Sequence, residues 1–122
     1  MTLQELYENI GGDFDQASKT LRVEKLIDKH IRRFASSEVV TRLLEAGKSM
    51  DATELFETAH AAKGVCGNLG LRRLADLTTI IADEFRPGND RTLSDEEVRE
   101  KLDEIGRLFE ITSDGIREYA GE

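Results

Sequence analysis

The 122-residue sequence is poor in several residue types, and each shortage narrows the class of protein. It contains no tryptophan, one proline and 6% aromatic residues, while charged residues make up 34% of the chain. This composition favours a soluble helical protein over a sheet protein. A chain of this length suits one compact core, so we expect residues 1–122 to form a single helical domain.

Cysteine and long apolar runs are also scarce. Cys66 is the only cysteine, so neither an intramolecular disulfide nor an all-cysteine metal site can form, and a reducing, cytoplasmic location is expected. No window approaches the roughly 20 apolar residues of a membrane span, and the N-terminus lacks the features of a signal peptide. We therefore expect no membrane insertion and no secretion.

Basic residues are outnumbered by acidic ones. The chain has 17 Lys and Arg against 25 Asp and Glu, which gives a formal net charge of -8. Proteins that bind nucleic acids hold the phosphate backbone with clustered Lys and Arg. The charge balance therefore argues against a nucleic-acid partner.

Apolar residues recur at helical spacing along most of the chain. The predicted segments run over residues 2–10, 13–17, 23–34, 36 or 37 to 47, 52–69, 71–85 and 94–119. Five of them have a candidate N-cap at or just before their first residue: Thr2, Asp13, Ser36 or Ser37, Asp51 and Ser94. Amphipathic helices with short connections predict an all-α fold, an antiparallel four-helix bundle with its core over about residues 22–120 and short extra N-terminal helices.

The helix predicted over residues 52–69 carries His60 on its outward face. At 3.6 residues per turn, Lys63, Gly64 and Gly67 share that face. Each glycine in a helix interior costs about 0.5–1 kcal/mol relative to alanine, so two on one exposed face predict close approach by something large. The alternative is that they relieve crowding against the N-terminal helix or weaken the segment without a functional reason. The apolar stripe lies opposite and comprises Leu55, Thr58, Ala59, Ala62, Val65, Cys66 and Leu69.

An exposed histidine with a lysine one turn away has the parts for phosphoryl transfer through nitrogen. A neutral His60 imidazole attacks phosphorus through Nε2, and the Lys63 ammonium helps to neutralise the phosphoryl oxygens. Nε2 is a better nucleophile if Nδ1 donates its proton to an acceptor, for which Glu57 is a candidate. The residues alone therefore predict that this face is a docking site for a protein that gives or takes a phosphoryl group.

The same stretch resembles the signature of histidine-containing phosphotransfer (Hpt) domains of multistep two-component signalling. That signature reads HxxKG followed by GLxxL, and its counterparts here are His60-Ala-Ala-Lys63-Gly64, Gly70-Leu71 and Leu74. The resemblance extends over about residues 23–119. One departure is Ala62, where many such domains carry a larger aliphatic residue.

The resemblance implies a phosphorelay intermediate rather than an enzyme with its own ATP chemistry. His60 would accept a phosphoryl group from the aspartate of one receiver domain and pass it to another. The implied partners are response-regulator receiver domains and a hybrid histidine kinase, no cofactor is implied, and we expect a monomer. The signature carries over His60, Lys63 and Gly64 directly. A helical interaction adaptor that is never phosphorylated is the alternative from another class.

Further residues near the signature are candidate receiver contacts. Gly67 extends the bare surface, and Glu57 lies on the same side. Phe56 either covers a gap under the N-terminal helix or makes an apolar contact with the receiver. Arg72, at the start of the next helix, either meets an acidic receiver surface or is simply solvated.

Competing interpretations of the titratable residues are weaker. Glu57 and His60 have the ExxH spacing of a di-iron site, but the position three residues before His30 is Ile27, so the second ExxH is missing and no metal is expected. We predict His30 to be a boundary residue packed against the bundle. Cys66 belongs to the core stripe and is expected to pack as a small apolar group.

Overall fold

The structure is a computed structural model that describes residues 1–121. Within that range every regular element is a helix, and none is long and apolar enough to cross a membrane. The helices are α1 (Leu3–Ile10), α2 (Phe14–Leu21), α3 (Glu24–Phe34), α4 (Val39–Ser49), α5 (Ala52–Asn68), α6 (Arg72–Phe85) and α7 (Asp95–Ala120).

The last four helices form the bundle. Helix α5 packs against α4 and α6, and α7 contacts both α6 and α4, which closes the arrangement. Short connections over residues 50–51, 69–71 and 86–94 make successive helices antiparallel. Helix α1 packs on α7, α2 packs on α3 and α5, and α3 also contacts α7. The predicted all-α bundle with short N-terminal helices is confirmed.

The predicted caps explain where several helices begin. The hydroxyls of Thr2 and Ser94 each accept a hydrogen bond from the backbone N–H three residues later at 3.1 Å, and the glutamates at those positions complete both capping boxes. The carboxylate of Asp51 accepts the N–H of Glu54 at 2.9 Å and starts α5.

Two short helices have different ends from those predicted. Helix α4 continues past Gly47 to Ser49. A Cβ at residue 47 would lie 2.6 Å from Cδ1 of Leu102. This glycine allows α7 to pack closely instead of ending the helix. Helix α4 also begins only at Val39, whose N–H donates to the Ser37 hydroxyl at 3.2 Å. Helix α2 continues beyond residue 17 to residue 21.

Helix α1 and the connection that follows it make hydrogen bonds and an ion pair with the turn between α5 and α6. The Tyr7 hydroxyl donates to the carbonyl of Leu69 at 2.7 Å, and the N–H of Asp13 donates to the carbonyl of Gly70 at 2.7 Å. The Asp13 carboxylate pairs with Arg72 at 2.6 Å. Gly70 has a φ of 68°, and a Cβ there would lie 2.1 Å from the carbonyl oxygen of Asp13, so only glycine fits. We call these contacts the N-terminal clamp; they fix the C-terminal end of the helix that carries His60.

Candidate functional site

His60 lies in the middle of α5 on the exposed side of the helix. The side of α5 that faces the bundle buries Leu55, Ala59, Ala62 and Cys66. Within residues 1–121 the imidazole makes no hydrogen bond and no ion pair, so both ring nitrogens are open to solvent or to another molecule. Val65, predicted in the core stripe, lies at its edge and remains 36% exposed.

The two glycines that follow His60 leave open space above the helix. A Cβ built at Gly64 or at Gly67 would have nothing within 4 Å, leaving aside the helix's own nearby backbone. At Gly115, by contrast, a Cβ would lie 2.6 Å from Cγ2 of Ile10. Relief of crowding therefore explains Gly115 on α7 but does not explain Gly64 and Gly67 on α5.

Lys63 lies one turn beyond His60 and is half-buried. No salt bridge joins its ammonium to a carboxylate in the part of the chain that the structure describes. Arg72 and Arg73 on the neighbouring helix are both paired, with Asp13 and Glu104. The Lys63 charge is therefore not neutralised by a partner within this range.

Phe56 and Arg86 complete the surroundings of the imidazole. The Phe56 ring stacks on the His60 ring, with 5.6 Å between centroids and 26° between planes. The guanidinium carbon of Arg86 lies 5.4 Å from the centroid of the Phe56 ring. Sequence analysis did not identify Arg86, because this residue lies beyond the end of α6 and far from His60 in sequence. The available signal was its position just before Pro87, at the end of a helix that runs antiparallel to α5 and therefore returns towards Phe56.

Two other candidate docking residues lie away from this cluster. Glu57 is exposed beside the groove between α4 and α5, near Arg42 and Ala61, and no hydrogen bond joins it to His60 within residues 1–121. Arg72 lies at the far end of the site, where it is held by Asp13. The structure therefore brings Phe56, Lys63 and the glycines around His60 but leaves Glu57 and Arg72 at the periphery.

A buried carboxylate anchors the loop that follows Arg86. Glu84 accepts hydrogen bonds from Nε of Arg91 at 2.8 Å, from the Thr92 hydroxyl at 2.8 Å, and from the N–H groups of Thr92 and Leu93 at 2.9 and 2.8 Å. Burial alone would raise the Glu84 pKa, but the donors outweigh it and lower that pKa to about 2. The end of the α6–α7 loop is thus held against the last turn of α6.

The other histidine and the cysteine have different environments. His30 is exposed at the rim of a groove that also includes Val65 and Asn68, so the prediction that it packs against the bundle is wrong. Helix α3 turns Ile27, Ile31 and Phe34 inward and leaves His30 outside. Cys66 is fully buried, and its burial raises the thiol pKa to about 12, as expected for a residue that packs as an apolar group. No cluster suited to a metal ion occurs among the described residues.

Comparison with known families identifies the family to which the chain belongs. The Hpt domain model matches residues 3–111, which include α1 to α6 and most of α7. Comparison with curated proteins gave no match, and neither did comparison with solved structures. The chain belongs to the Hpt domain family. Hpt domains serve histidine phosphotransfer in phosphorelays as phosphocarriers rather than kinases, and they interact with receiver domains and kinases.

Proposed function

We propose that this protein is a phosphorelay intermediate that accepts a phosphoryl group on His60 from a receiver-domain aspartate and passes it to a second receiver. The observation that carries the proposal is the exposed imidazole on the outer side of α5, next to open space at Gly64 and Gly67. The accepting nitrogen must reach the phosphorus of an aspartyl phosphate on another protein, so it must project from an unobstructed surface. His60 meets that requirement.

The transfer step uses the imidazole as nucleophile. Nε2 attacks phosphorus, the N–P bond forms, and the bond from phosphorus to the aspartyl oxygen breaks. The aspartate leaves as a carboxylate with the electron pair, while the ring keeps its Nδ1 proton and gains positive charge. The reverse sequence returns the phosphoryl group to another carboxylate. Acyl phosphates and phosphohistidine are both reactive, so the partners set the direction.

Lys63 is proposed to stabilise the phosphoryl oxygens during the transfer. Negative charge is spread over these oxygens in the transition state, and a positioned cation lowers the energy of that state. The lysine lies one turn from the nucleophile, and no carboxylate within residues 1–121 pairs with it. A role for Glu57 as acceptor for the Nδ1 proton stays a prediction, since the two side chains are not hydrogen-bonded within the described residues.

The receiver is proposed to dock over the outer face of α5. Gly64 and Gly67 let its backbone come close to the helix, and Phe56 offers a half-buried apolar contact. Glu57 and Arg72 lie at the periphery of the contact and are the less central candidates. We propose that the chain works as one Hpt unit and as a monomer, without a cofactor.

A two-receiver relay tests this proposal. A receiver carrying radiolabelled phosphate is incubated with the protein and then with a second, unlabelled receiver. We expect acid-labile label first on this protein and then on the second receiver, and no transfer between the receivers when His60→Gln replaces the wild type. If the stable, full-length protein takes no label from any receiver of its source organism, the relay proposal fails and the adaptor alternative gains support.

A further inference from the structure

The imidazole of His60 is one member of a group of three neighbouring side chains. Side chains on an α-helix lean towards its N-terminus, so the His60 ring lies back over the turn that carries Phe56. The two rings are close to parallel, at 26°, with centroids 5.6 Å apart. Arg86, which arrives from the end of α6, places its guanidinium carbon 5.4 Å from the Phe56 centroid. Phe56 therefore touches both the nucleophile and a cation.

The fold holds these supporting side chains in place. Phe56 is half-buried and packs against the core. Arg86 has an extended backbone, with φ -61° and ψ 129°, as expected for a residue before proline. Its guanidinium pairs with Asp83 at 3.1 Å. Asn89 donates its backbone N–H to the carbonyl of Arg86 at 3.0 Å and its side-chain amide to the carbonyl of Asp83 at 2.9 Å.

We propose that Phe56, held by Arg86, is a positioning residue that fixes the orientation of the His60 imidazole for in-line attack. This inference rests on the proposed role of His60 as phosphoacceptor. The terminal torsion of histidine has a broad energy profile, so an exposed imidazole beside bare glycines samples many ring orientations. Stacking on a half-buried ring restricts those orientations and keeps Nε2 available to the incoming phosphorus. Small errors in such alignment are costly, because near-attack geometry supplies much of the rate.

The aromatic character of residue 56 has a second consequence. When Nε2 bonds to phosphorus, the ring keeps its Nδ1 proton and becomes positively charged. The negative face of an aromatic ring attracts such a charge, whereas an aliphatic side chain does not. The guanidinium carbon of Arg86 lies 5.4 Å from the Phe56 centroid, and the planar, delocalised charge of a guanidinium is not reproduced by a lysine ammonium.

The simpler alternative is that Phe56 only gives the receiver an apolar contact. Leucine separates the two roles, because it keeps an apolar side chain of similar size but removes the ring. As a contact residue, Phe56 would be replaced by leucine with little effect, or with an effect on affinity alone. As a positioning residue, its loss would reduce the maximal transfer rate while the affinity for the receiver is maintained.

The test measures single-turnover phosphotransfer by rapid quench over a range of receiver concentrations, which gives an apparent Kd and a maximal rate. We expect Phe56→Leu to lower the maximal rate by about tenfold or more, with the apparent Kd unchanged, and Phe56→Tyr to restore it. Phe109→Leu is the matched control, since Phe109 is also half-buried and contacts another ring, Phe34, at 5.4 Å on a different helix pair. A wild-type maximal rate in Phe56→Leu, or a change in Kd alone, would overturn the inference.

Arg86 has its own matched pair of variants. Arg86→Gln is compared with Arg117→Gln, because Arg117 also pairs with an aspartate three residues earlier at 3.1 Å but lies near the end of α7. We expect a several-fold lower maximal rate only for Arg86→Gln, and only partial recovery in Arg86→Lys. Equal rates in the two glutamine variants would contradict a role for Arg86.

A structural readout in the free protein keeps the two proposals distinguishable. In the wild type we expect NMR cross-relaxation between the ring protons of Phe56 and His60 and a single preferred His60 rotamer, with rotamer averaging in Phe56→Leu. If the wild type takes no phosphoryl group from any receiver, the proposed function fails. If the wild type is phosphorylated but the His60 rotamer and transfer rate do not depend on residue 56, only the positioning inference fails.

Discussion

At the scale of single residues, the two histidines differ in their neighbours and not in their exposure. His60 and His30 are both exposed, and each is followed three residues later by a cation, Lys63 or Arg33. The difference lies in what surrounds the ring. His60 has a stacked aromatic partner before it and the open surface of Gly64 after it. We therefore assign the chemistry to His60 by its neighbours and not by its accessibility.

Removal of the Lys63 charge tests the electrostatic part of this assignment. We expect Lys63→Ala to slow phosphotransfer by about 10- to 100-fold, because an interaction with a charged group contributes roughly 1.5–3 kcal/mol and each 1.4 kcal/mol is a factor of ten. Urea unfolding should change little. Lys101→Ala, which removes a half-buried lysine from α7, serves as control. A Lys63→Ala rate equal to that of the control would contradict the role of Lys63.

At the scale of elements, local signals predicted helix positions better than they predicted contacts between helices. Thr2, Asp51 and Ser94 mark helix starts through hydrogen bonds within three residues, so the sequence reveals them directly. Gly47 resembles a helix end but accommodates Leu102 from α7, about 50 residues away in sequence.

The candidate site shows the same division between local and tertiary information. The helical wheel placed Lys63 and Gly64 beside His60 because all three lie on one helix. It gave no sign of Arg86, whose position depends on the pairing of α5 with α6. It also gave Glu57 as the candidate acceptor of the Nδ1 proton, although within the described residues the two side chains are not hydrogen-bonded. Spacing fixes a direction around a helix but not the rotamer of the side chain.

The glycines of α5 are expected to favour docking at a cost in helix stability. Gly64→Ala should raise the free energy of unfolding by about 0.5–1 kcal/mol, since the added methyl group meets nothing. It should also weaken receiver binding by about tenfold, because an extra methyl in a tightly packed contact costs roughly 1–3 kcal/mol. Urea titration and binding isotherms measure the two effects.

Two other glycines give the controls for that experiment. At Gly106 a Cβ would lie 3.5 Å from Cδ1 of Leu44, an ordinary contact, so Gly106→Ala should leave receiver binding unchanged. Gly70→Ala should destabilise the protein strongly, because it combines a positive φ with a clash against the Asp13 carbonyl. Unchanged receiver affinity in Gly64→Ala would remove the docking explanation.

At the scale of the whole molecule, the site is supported from both ends of α5. The N-terminal clamp fixes the turn after α5, while the buried Glu84 fixes the loop that begins beside Arg86. Between these supports, the outer surface of α5 around His60 is left uncovered. A rigid scaffold with an open, glycine-lined face suits a carrier that must present one reactive nitrogen to different partners.

The hydrogen-bonded Glu84 carboxylate predicts that the free energy of unfolding falls at acidic pH. Its folded-state pKa of about 2 lies below the ordinary value of 4.5, so folding stabilises the ionised form. That stabilisation is present above about pH 4.5 and is lost as the pH falls towards 2; it is on the order of 3 kcal/mol at about 1.4 kcal/mol per pKa unit. Urea unfolding between pH 5 and pH 2.5 measures the loss.

Two variants test whether Glu84 causes this loss of stability at acidic pH. Glu84→Gln should flatten the fall in unfolding free energy over that range, although the variant is less stable at neutral pH because Arg91 loses one of its two carboxylate partners. Glu118→Gln, which changes an exposed carboxylate near the end of α7, should leave the fall intact. The same pH dependence in both variants would mean that Glu84 does not control it.

The most direct test of the account is to locate the phosphoryl group after transfer from a phosphorylated receiver. Wild type, His60→Gln and His30→Gln are compared under identical conditions, with matched urea unfolding to show that all three are folded. We predict acid-labile label on the wild type and on His30→Gln, and none on His60→Gln. Label that persists in His60→Gln, or that disappears with His30→Gln, would contradict the claim that the outward imidazole of α5 carries the phosphoryl group.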